Sequence, residues 1–425
     1  MYAKSLHIYE FKCFGKAELV FQYPGRTGLG AAERLPNVNL ILGDNGGGKS
    51  SILRALAIAI LAPVLLESGF VAHRMVRRPR TPPVPLPEDQ AAKPRQAFLK
   101  VKGVVDTREL QRLPKPKDEL ELIARIDMRE RGGLDRLHLE QAPTSPIDQE
   151  IFDHYSPAFF VAGYGATRRV ETSDFLPGSA QKARGPRYQR VAGLFEDHVA
   201  LRPMQAWAQR LTPSRWQEAC SILNQTLPHG IRFDGSEADF DDGQYHYDFR
   251  GVRTPFSALS DGYKAFIGWT TDLLGHLCEV APPDLPLREV PGLVLVDEID
   301  LHLHPEWQRS VVPVLAAAFP KLQFVMTSHS ALVASTVGRE NVFVTGEENG
   351  AATIKQLDER IYGRSAESLL LSSYFGLSST RPESFHDEAE ELFKRAAEGD
   401  TKAALDYLDE LSAPDEEYPI TAPGE

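Results

Sequence analysis

Eight consecutive residues, Gly43-Asp44-Asn45-Gly46-Gly47-Gly48-Lys49-Ser50, spell G-x-x-x-x-G-K-S. Residues of these types at this spacing make a phosphate cradle. The glycines let successive backbone N–H groups turn inward around anionic oxygens, and a helix starting at the loop adds the positive end of its dipole. Lys49 is then placed to reach the β- and γ-phosphates of ATP, and Ser50 to hold Mg²⁺. Gly43, Asn45, Gly46, Gly47, Gly48, Lys49, Ser50 and Ser51 form the expected nucleotide site.

A second run, Gly292-Leu293-Val294-Leu295-Val296-Asp297-Glu298, ends an apolar stretch in two carboxylates. A P-loop enzyme needs acidic groups at such a strand end. Asp297 would share the Mg²⁺ shell with Ser50, and Glu298 would orient or deprotonate the attacking water. A solvated acidic strand end is the plainer alternative, and the upstream P-loop favours catalysis. Leu259-Ser260-Asp261-Gly262, ahead of a helical stretch, offers the Ser260 hydroxyl and free N–H groups near Gly262 as a second anion site. A simple helix N-cap at Ser260 is the alternative. One nucleotide cannot use both anion sites of one chain if they lie at opposite ends of the fold. A head-to-tail pair of subunits with ATP between them resolves this. Thr327-Ser328-His329-Ser330 follows an apolar strand, and His329 there could sense the γ-phosphate. Ser328 beside His329 is a poor hydrolase dyad, and no G-x-S-x-G elbow accompanies it.

The elements that must position these groups are legible in the apolar pattern. Val38–Leu42 reads as a buried strand entering the loop, and Ser51–Leu61 as a buried helix leaving it. Leu293–Val296, Leu322–Met326 and Val342–Val344 read as further buried strands. Short apolar strands alternating with helices argue a mostly parallel sheet covered on both faces. Residues 5–11 and Ala17–Phe21 read as a hairpin joined near Gly15, and residues 97–106 and 119–127 as strands of a small sheet. Residues 191–227 read as helical, broken at Pro203 and Pro213, and residues 229–252 as a hairpin turning at Asp242-Gly243. From Asp387 onward the chain reads as two short amphipathic helices.

Taken together, Gly43–Ser50, Leu259–Gly262, Leu293–Glu298 and His329 resemble, in order and content, the ABC-type ATPase heads of the SMC, RecF and OLD group. The opening Leu6-His7-Ile8-Tyr9-Glu10-Phe11-Lys12-Cys13-Phe14 is similar to their first strand, and Glu298-Ile299-Asp300-Leu301-His302-Leu303-His304-Pro305 resembles the extended acidic motif of the RecF/OLD-like branch. The resemblance implies an α/β P-loop head with an N-terminal antiparallel β subdomain, an inserted helical subdomain and a short helical C-terminal tail. It implies ATP-driven dimerisation, Ser260 and Gly262 acting on the partner's ATP, and His329 as the switch histidine. The boundaries expected are 1–175 for the P-loop lobe, 176–255 for the insertion, 256–350 for the second ATPase lobe and 351–425 for the tail. A glutamine lid has four candidates, Gln90, Gln96, Gln141 and Gln149.

The chain has no long heptad segment, and only about 80 residues follow Val344, too few for a Toprim nuclease domain. It therefore resembles the ATPases of Septu- and retron-associated bacterial defence operons, which act with a separate effector nuclease. The expected partners are further copies of the chain, as an ATP-sandwiched dimer or dimer of dimers, and that nuclease. Direct action on DNA, like RecF, and a non-hydrolysing scaffold are the rival readings.

Composition bounds these readings. A chain of 425 residues is long enough for roughly two to four domains. No segment approaches ~18 unbroken apolar residues, so no membrane association is expected. Three cysteines without a C-x-x-C fit a reducing cytoplasm. The net charge of −12 is concentrated at the end: Glu383–Glu425 carries fourteen acidic and three basic residues, or −11. Arg74–Lys102 carries eight basic and two acidic residues and is Pro/Arg-rich over 74–96. It reads as a soluble loop or as a DNA-phosphate contact. Arg168 and Arg169, after a strand and a Gly turn, either contact a γ-phosphate or DNA or form a solvated basic turn. His302 and His304 suit an interface or structural role better than zinc, which takes about four ligands and usually cysteine.

Overall fold

A computed structural model describes residues 1–26, 34–78, 95–110, 119–129, 133–140, 158–170, 184–236, 240–241, 243–381 and 383–412. Among the described residues eighteen strands run in chain order: β1 Tyr2–Phe11, β2 Phe14–Val20, β3 Val38–Leu42, β4 Ala72–His73, β5 Gln96–Val104, β6 Glu119–Asp127, β7 Leu134–Leu139, β8 Val161–Tyr164 and β9 Arg169–Val170; then β10 Ala200–Leu201, β11 Ile231–Arg232, β12 Phe240–Asp241, β13 Gln244–Phe249, β14 Val252–Pro255, β15 Gly292–Val296, β16 Leu322–Thr327, β17 Val342–Glu348 and β18 Ala351–Lys355. The longer helices are α1 Lys49–Glu67, α2 Pro213–Thr226, α3 Asp261–Val280, α4 Val311–Ala318, α5 Glu383–Ala397 and α6 Thr401–Ser412.

One 12-stranded path orders the main sheet β4-β7-β6-β5-β1-β2-β18-β17-β3-β16-β15-β8. Its functional half, β17-β3-β16-β15-β8, is parallel throughout. The β1, β2, β5, β6 and β7 pairings are antiparallel and continue the same sheet. The apolar composition of the central strands follows from burial on both faces. Val38, Leu40 and Leu42 of β3 join one core, and Ile41 joins the other. Val294 and Val296 of β15 alternate in the same way with Leu293 and Leu295, as the two-residue period of a strand requires. α1 fills one core, touching β16 on one side and β5, β6 and β7 on the other. Its apolar composition would suit a membrane span, yet 72% of its most apolar window is buried in the fold. α2, α3 and α4 fill the opposite core.

Three polar residues interrupt the apolar strand region and stitch it together. Asn37 donates to the carbonyls of Ala316, Phe319 and Leu322. Asn39 links Gln22 to Phe324, and Gln323 exchanges hydrogen bonds with the Ala3 backbone. Each buried amide is thereby satisfied, which removes the penalty of placing it there.

Several sequence expectations need correction. The β1–β2 turn lies at Lys12-Cys13, with Phe11 opposite Phe14, and Gly15 lies within β2. Lys12 itself takes the left-handed conformation at φ 50, so no glycine is needed there. Residues 191–227 are not one broken helix. A 3-10 turn, β10, the short helix Gln205–Ala208 and α2 share the span. The segment 229–252 holds the expected hairpin, β12 pairing antiparallel with β13 and Asp241 lying opposite Gln244, but it belongs to a small sheet in which β13 also pairs with β14. Asp242 lies outside the described residues. The tail forms two helices, α5 and α6, that pack on each other, with Phe393 against Tyr407 at 5.7 Å.

Candidate active site

The central strands deliver the motif residues to one edge. β3 lies between β16 and β17, and β15 follows β16, all parallel, so their C-terminal ends sit side by side. β3 runs directly into the Gly43–Gly48 loop, β15 into Asp297-Glu298, and β16 into Ser328-His329. This is the crevice outside the carboxyl ends of a parallel sheet, where α/β folds bind ligands.

The loop closes on α1, whose first residue is Lys49 and whose N-cap, Gly48, has φ 92. A Cβ at Gly48 would meet the Phe14 ring at 2.6 Å and Cys13 Sγ at 2.7 Å, so glycine is required by both conformation and space. The β1–β2 turn is thereby seated on the loop. Lys49 is buried, and its ammonium donates to the carbonyls of Gly43 at 2.8 Å and Asp44 at 2.9 Å. Burial lowers its pKa, opposed by the negative charges of Asp297, Glu298, Asp44 and Asp300. Lys49 and the two strand-end carboxylates therefore share one electrostatic site.

Asp297 is buried, and its Oδ1 accepts the Thr327 hydroxyl at 2.6 Å. Its other carboxylate oxygen takes no hydrogen bond among the described residues. Glu298 is half-buried and takes a left-handed backbone at φ 49. Its N–H donates to Thr327 Oγ1 at 2.7 Å. The residues present fit Mg-ATP: a glycine cradle, a buried ammonium, Ser50 at the helix start and a carboxylate with an open oxygen. His329 is exposed, and its backbone N–H faces Asp300 Oδ1 at 3.4 Å. Ser330 caps the next short helix, Ala331–Ala334.

Ser260 occupies the N-cap position of α3, but its side chain makes no cap hydrogen bond and is exposed. Gly262 approaches the protein's own backbone: a Cβ there would lie 2.3 Å from the His302 carbonyl oxygen. The α3 N-terminus thus packs on the segment that follows Glu298. His304 serves as N-cap of the short helix Pro305–Gln308, its Nδ1 accepting from Glu306 N–H. Among the described residues no group of three or more His, Cys, Asp or Glu could hold a metal ion.

Arg168 is not a solvated turn residue. It is buried, donating to the carbonyls of Gly165, Asp297 and Glu298, while Arg169 enters β9 exposed. Arg77 donates to the Gly350 carbonyl and lies near Glu10, and Arg78 is bound to Asp135. Arg80, Gln90, Gln141 and Gln149 lie outside the described residues, and Gln96 opens β5. The sequence reading singled out Arg168 without its carbonyl-binding role, gave Thr327 no role, and missed the seat made by Cys13 and Phe14. Thr327 adjoins the motif that marked His329, and its place at the end of a strand beside β15 is the signal that could have found it.

A family model described as "AAA domain, putative AbiEii toxin, Type IV TA system" matches residues 38–335, and a second AAA domain model matches residues 5–63. The chain is 25% identical over 396 residues to the Septu protein PtuA of Bacillus mycoides (strain KBAB4), covering 93% of this chain and 47% of that protein. It is 36% identical over 113 residues to the Retron Vc95 probable ATPase of Vibrio cholerae serotype O1 biovar El Tor, covering 26% and 22%. The chain thus spans about half the length, or less, of the curated relatives it matches. Among solved structures, an SMC head bound to the C-winged helix domain of ScpA aligns with a TM-score of 0.49 at 16% identity, covering 84% of this chain and 98% of that one.

Proposed function

The chain belongs to the AAA-domain family whose model matches residues 38–335, and from that premise we propose that it is an ABC-type ATPase that binds and hydrolyses Mg-ATP. The observation that carries this reading is the convergence of Lys49, at the start of α1, with Asp297 and Glu298, at the end of β15, at one edge of the parallel sheet. Gly43–Ser51 would wrap the phosphates, and Ser50 and Asp297 would hold a Mg²⁺, which when bound would supply charge neutralisation of the phosphates. Glu298 orients a water for in-line attack on the γ-phosphorus and accepts its proton as the bond to the β,γ-bridging oxygen breaks. ADP and inorganic phosphate leave. His329, at the end of β16, contacts the γ-phosphate and reports its presence.

Ser260 and Gly262 complete the site of a second copy in a head-to-tail pair. The exposed Ser260 hydroxyl, not engaged as a cap, supports this role. Similarity to Septu PtuA and to retron ATPases supports a place in bacterial anti-phage defence, where the ATP state would control a separate effector nuclease. Arg77 and Arg78 are engaged within the protein, which weakens the case for direct DNA work through them.

The test is Glu298→Gln. Turnover should fall by a factor on the order of 10² or more, while ATP binding and ATP-dependent dimerisation persist. Unchanged turnover would remove Glu298 from the chemistry.

A further inference from the structure

The loop that leaves β8 wraps over the end of β15 and carries Arg168. β8 pairs with β15 in parallel register, Tyr164 opposite Val296, and the Asp297 N–H donates to the Tyr164 carbonyl at 2.8 Å. Four residues on, the Arg168 Nη2 group donates to the carbonyls of both Asp297 and Glu298, and its Nε donates to Gly165 at 3.0 Å. Its side chain is buried, yet among the described residues it forms no ion pair with a carboxylate. Burial lowers the Arg168 pKa in spite of the nearby charges of Asp297, Glu298 and Asp300, so the guanidinium is costly there, and a position that served only packing would be better filled by an apolar side chain.

What the guanidinium holds is an unfavourable backbone. Glu298 is non-glycine at φ 49, a strained conformation that persists only where the surroundings over-determine it. Every peptide group of the segment is fixed from outside. The Glu298 N–H goes to Thr327 Oγ1, the Ile299 N–H to the Thr327 carbonyl, and the Asp297 and Glu298 carbonyls to Arg168. In a continuing strand, side chains 297 and 298 would point to opposite faces. The left-handed turn ends that alternation, and both carboxylates act on Lys49.

We propose that Arg168 is a positioning residue for hydrolysis: its guanidinium clamps the Asp297 and Glu298 carbonyls, holding Glu298 in the left-handed turn that aims its carboxylate at the attacking water. The clamp rests on the reading of Glu298 as the water-activating group. The donors that Arg168 commits go to protein carbonyls, so its loss lowers kcat and leaves ATP affinity in place. Lysine keeps the charge but lacks the planar pair of donors that holds Gly165 through Nε while Nη2 binds the two strand-end carbonyls.

The experiment compares full-length Arg168→Lys, Arg168→Gly and Glu298→Gln for turnover at saturating ATP, affinity for a fluorescent ATP analogue, and melting temperature. Arg168→Lys should lose turnover by a factor on the order of 10 to 10², with affinity within about twofold of the parent. Arg168→Gly should regain part of its turnover in millimolar guanidinium and none in ammonium. Retained turnover in Arg168→Lys overturns the proposal. So does a parallel loss of turnover, affinity and melting temperature with no guanidinium rescue. If Arg168→Lys does not fold, the guanidinium response of Arg168→Gly decides alone. Retained turnover in Glu298→Gln is a separate result, which removes the underlying reading of the site.

Discussion

The Thr327 hydroxyl donates to Asp297 Oδ1 at 2.6 Å and accepts the Glu298 N–H at 2.7 Å. A single buried atom at the end of β16 thus orients the expected Mg²⁺ ligand and the backbone of the expected base. Outer-shell partners of this kind typically set metal affinity by 10–100-fold. Thr327→Val keeps the shape and removes the donor. It should raise the Mg²⁺ concentration for half-maximal turnover roughly tenfold. Thr327→Ser, which keeps the hydroxyl, should stay near the parent. A Mg²⁺ titration of ATP turnover checks both, and equal curves for Val and Ser would show the bond to be irrelevant.

The strands that carry the site were legible because a strand buried on both faces must be apolar throughout, as Val38–Leu42 and Leu293–Val296 are. The P-loop was legible because its glycines have no cheaper substitute. Arg168 was not, since nothing local tells an arginine that binds two backbone carbonyls across the fold from a solvated one. The β1–β2 turn at Lys12-Cys13 was missed for a related reason. Its left-handed residue is lysine, which carries no turn signal, while the nearby Gly15 does. The 191–227 segment misled because its apolar spacing reflects packing against several neighbours rather than one helical face. The continuous path from the parallel to the antiparallel strands depends on pairings between residues far apart in sequence, such as β18 with β2.

Ser260 and Gly262 should separate in their effects. Ser260 makes no cap bond, so Ser260→Ala should leave stability within about 0.5 kcal/mol while weakening ATP-dependent dimerisation. A Cβ at Gly262 would lie 2.3 Å from a backbone oxygen that cannot rotate away, so Gly262→Ala should destabilise the chain itself by about 1–3 kcal/mol. Chemical denaturation without nucleotide, beside sedimentation with ATP, tells the two apart. A stability loss for Ser260→Ala as large as that for Gly262→Ala would mean that Ser260 acts within its own chain.

Arg78 should prove structural. Asp135 is buried and accepts Arg78 Nη1 at 3.2 Å and Nη2 at 2.5 Å, together with the N–H groups of Met75 and Val76. Burial alone would raise the Asp135 pKa, but Arg78 and these N–H groups hold it below the usual carboxylate range. Arg78→Ala should cost roughly 1–3 kcal/mol by leaving that carboxylate under-satisfied. A charge-neutralised Arg78 variant that loses DNA binding should therefore also melt early. Loss of DNA binding at an unchanged melting temperature would assign Arg78 to DNA after all.

Acid should loosen α3 from the edge of the sheet. Tyr164 donates to Asp272 Oδ2 at 3.0 Å, Asp272 pairs with His276 at 3.3 Å, and Arg202 reaches both Asp272 and Glu279. Burial would raise both carboxyl pKa values. The charge of and hydrogen bond to His276, with Arg202, overcome it, holding Asp272 well below its usual range and Glu279 near about 2. A carboxyl whose folded pKa is depressed contributes stability above its unfolded value and loses it as pH falls. For Glu279 that window runs from 4.5 down to about 2, and Asp272 adds to its lower part. The midpoint of urea unfolding should therefore drop as pH falls from about 5 toward 2. Asp272→Asn should be less stable at pH 7, by about 3–5 kcal/mol if the buried pair behaves as such pairs do. Its pH slope over the acid window should be shallower than the parent's. Parallel slopes for the two proteins would place the acid sensitivity elsewhere.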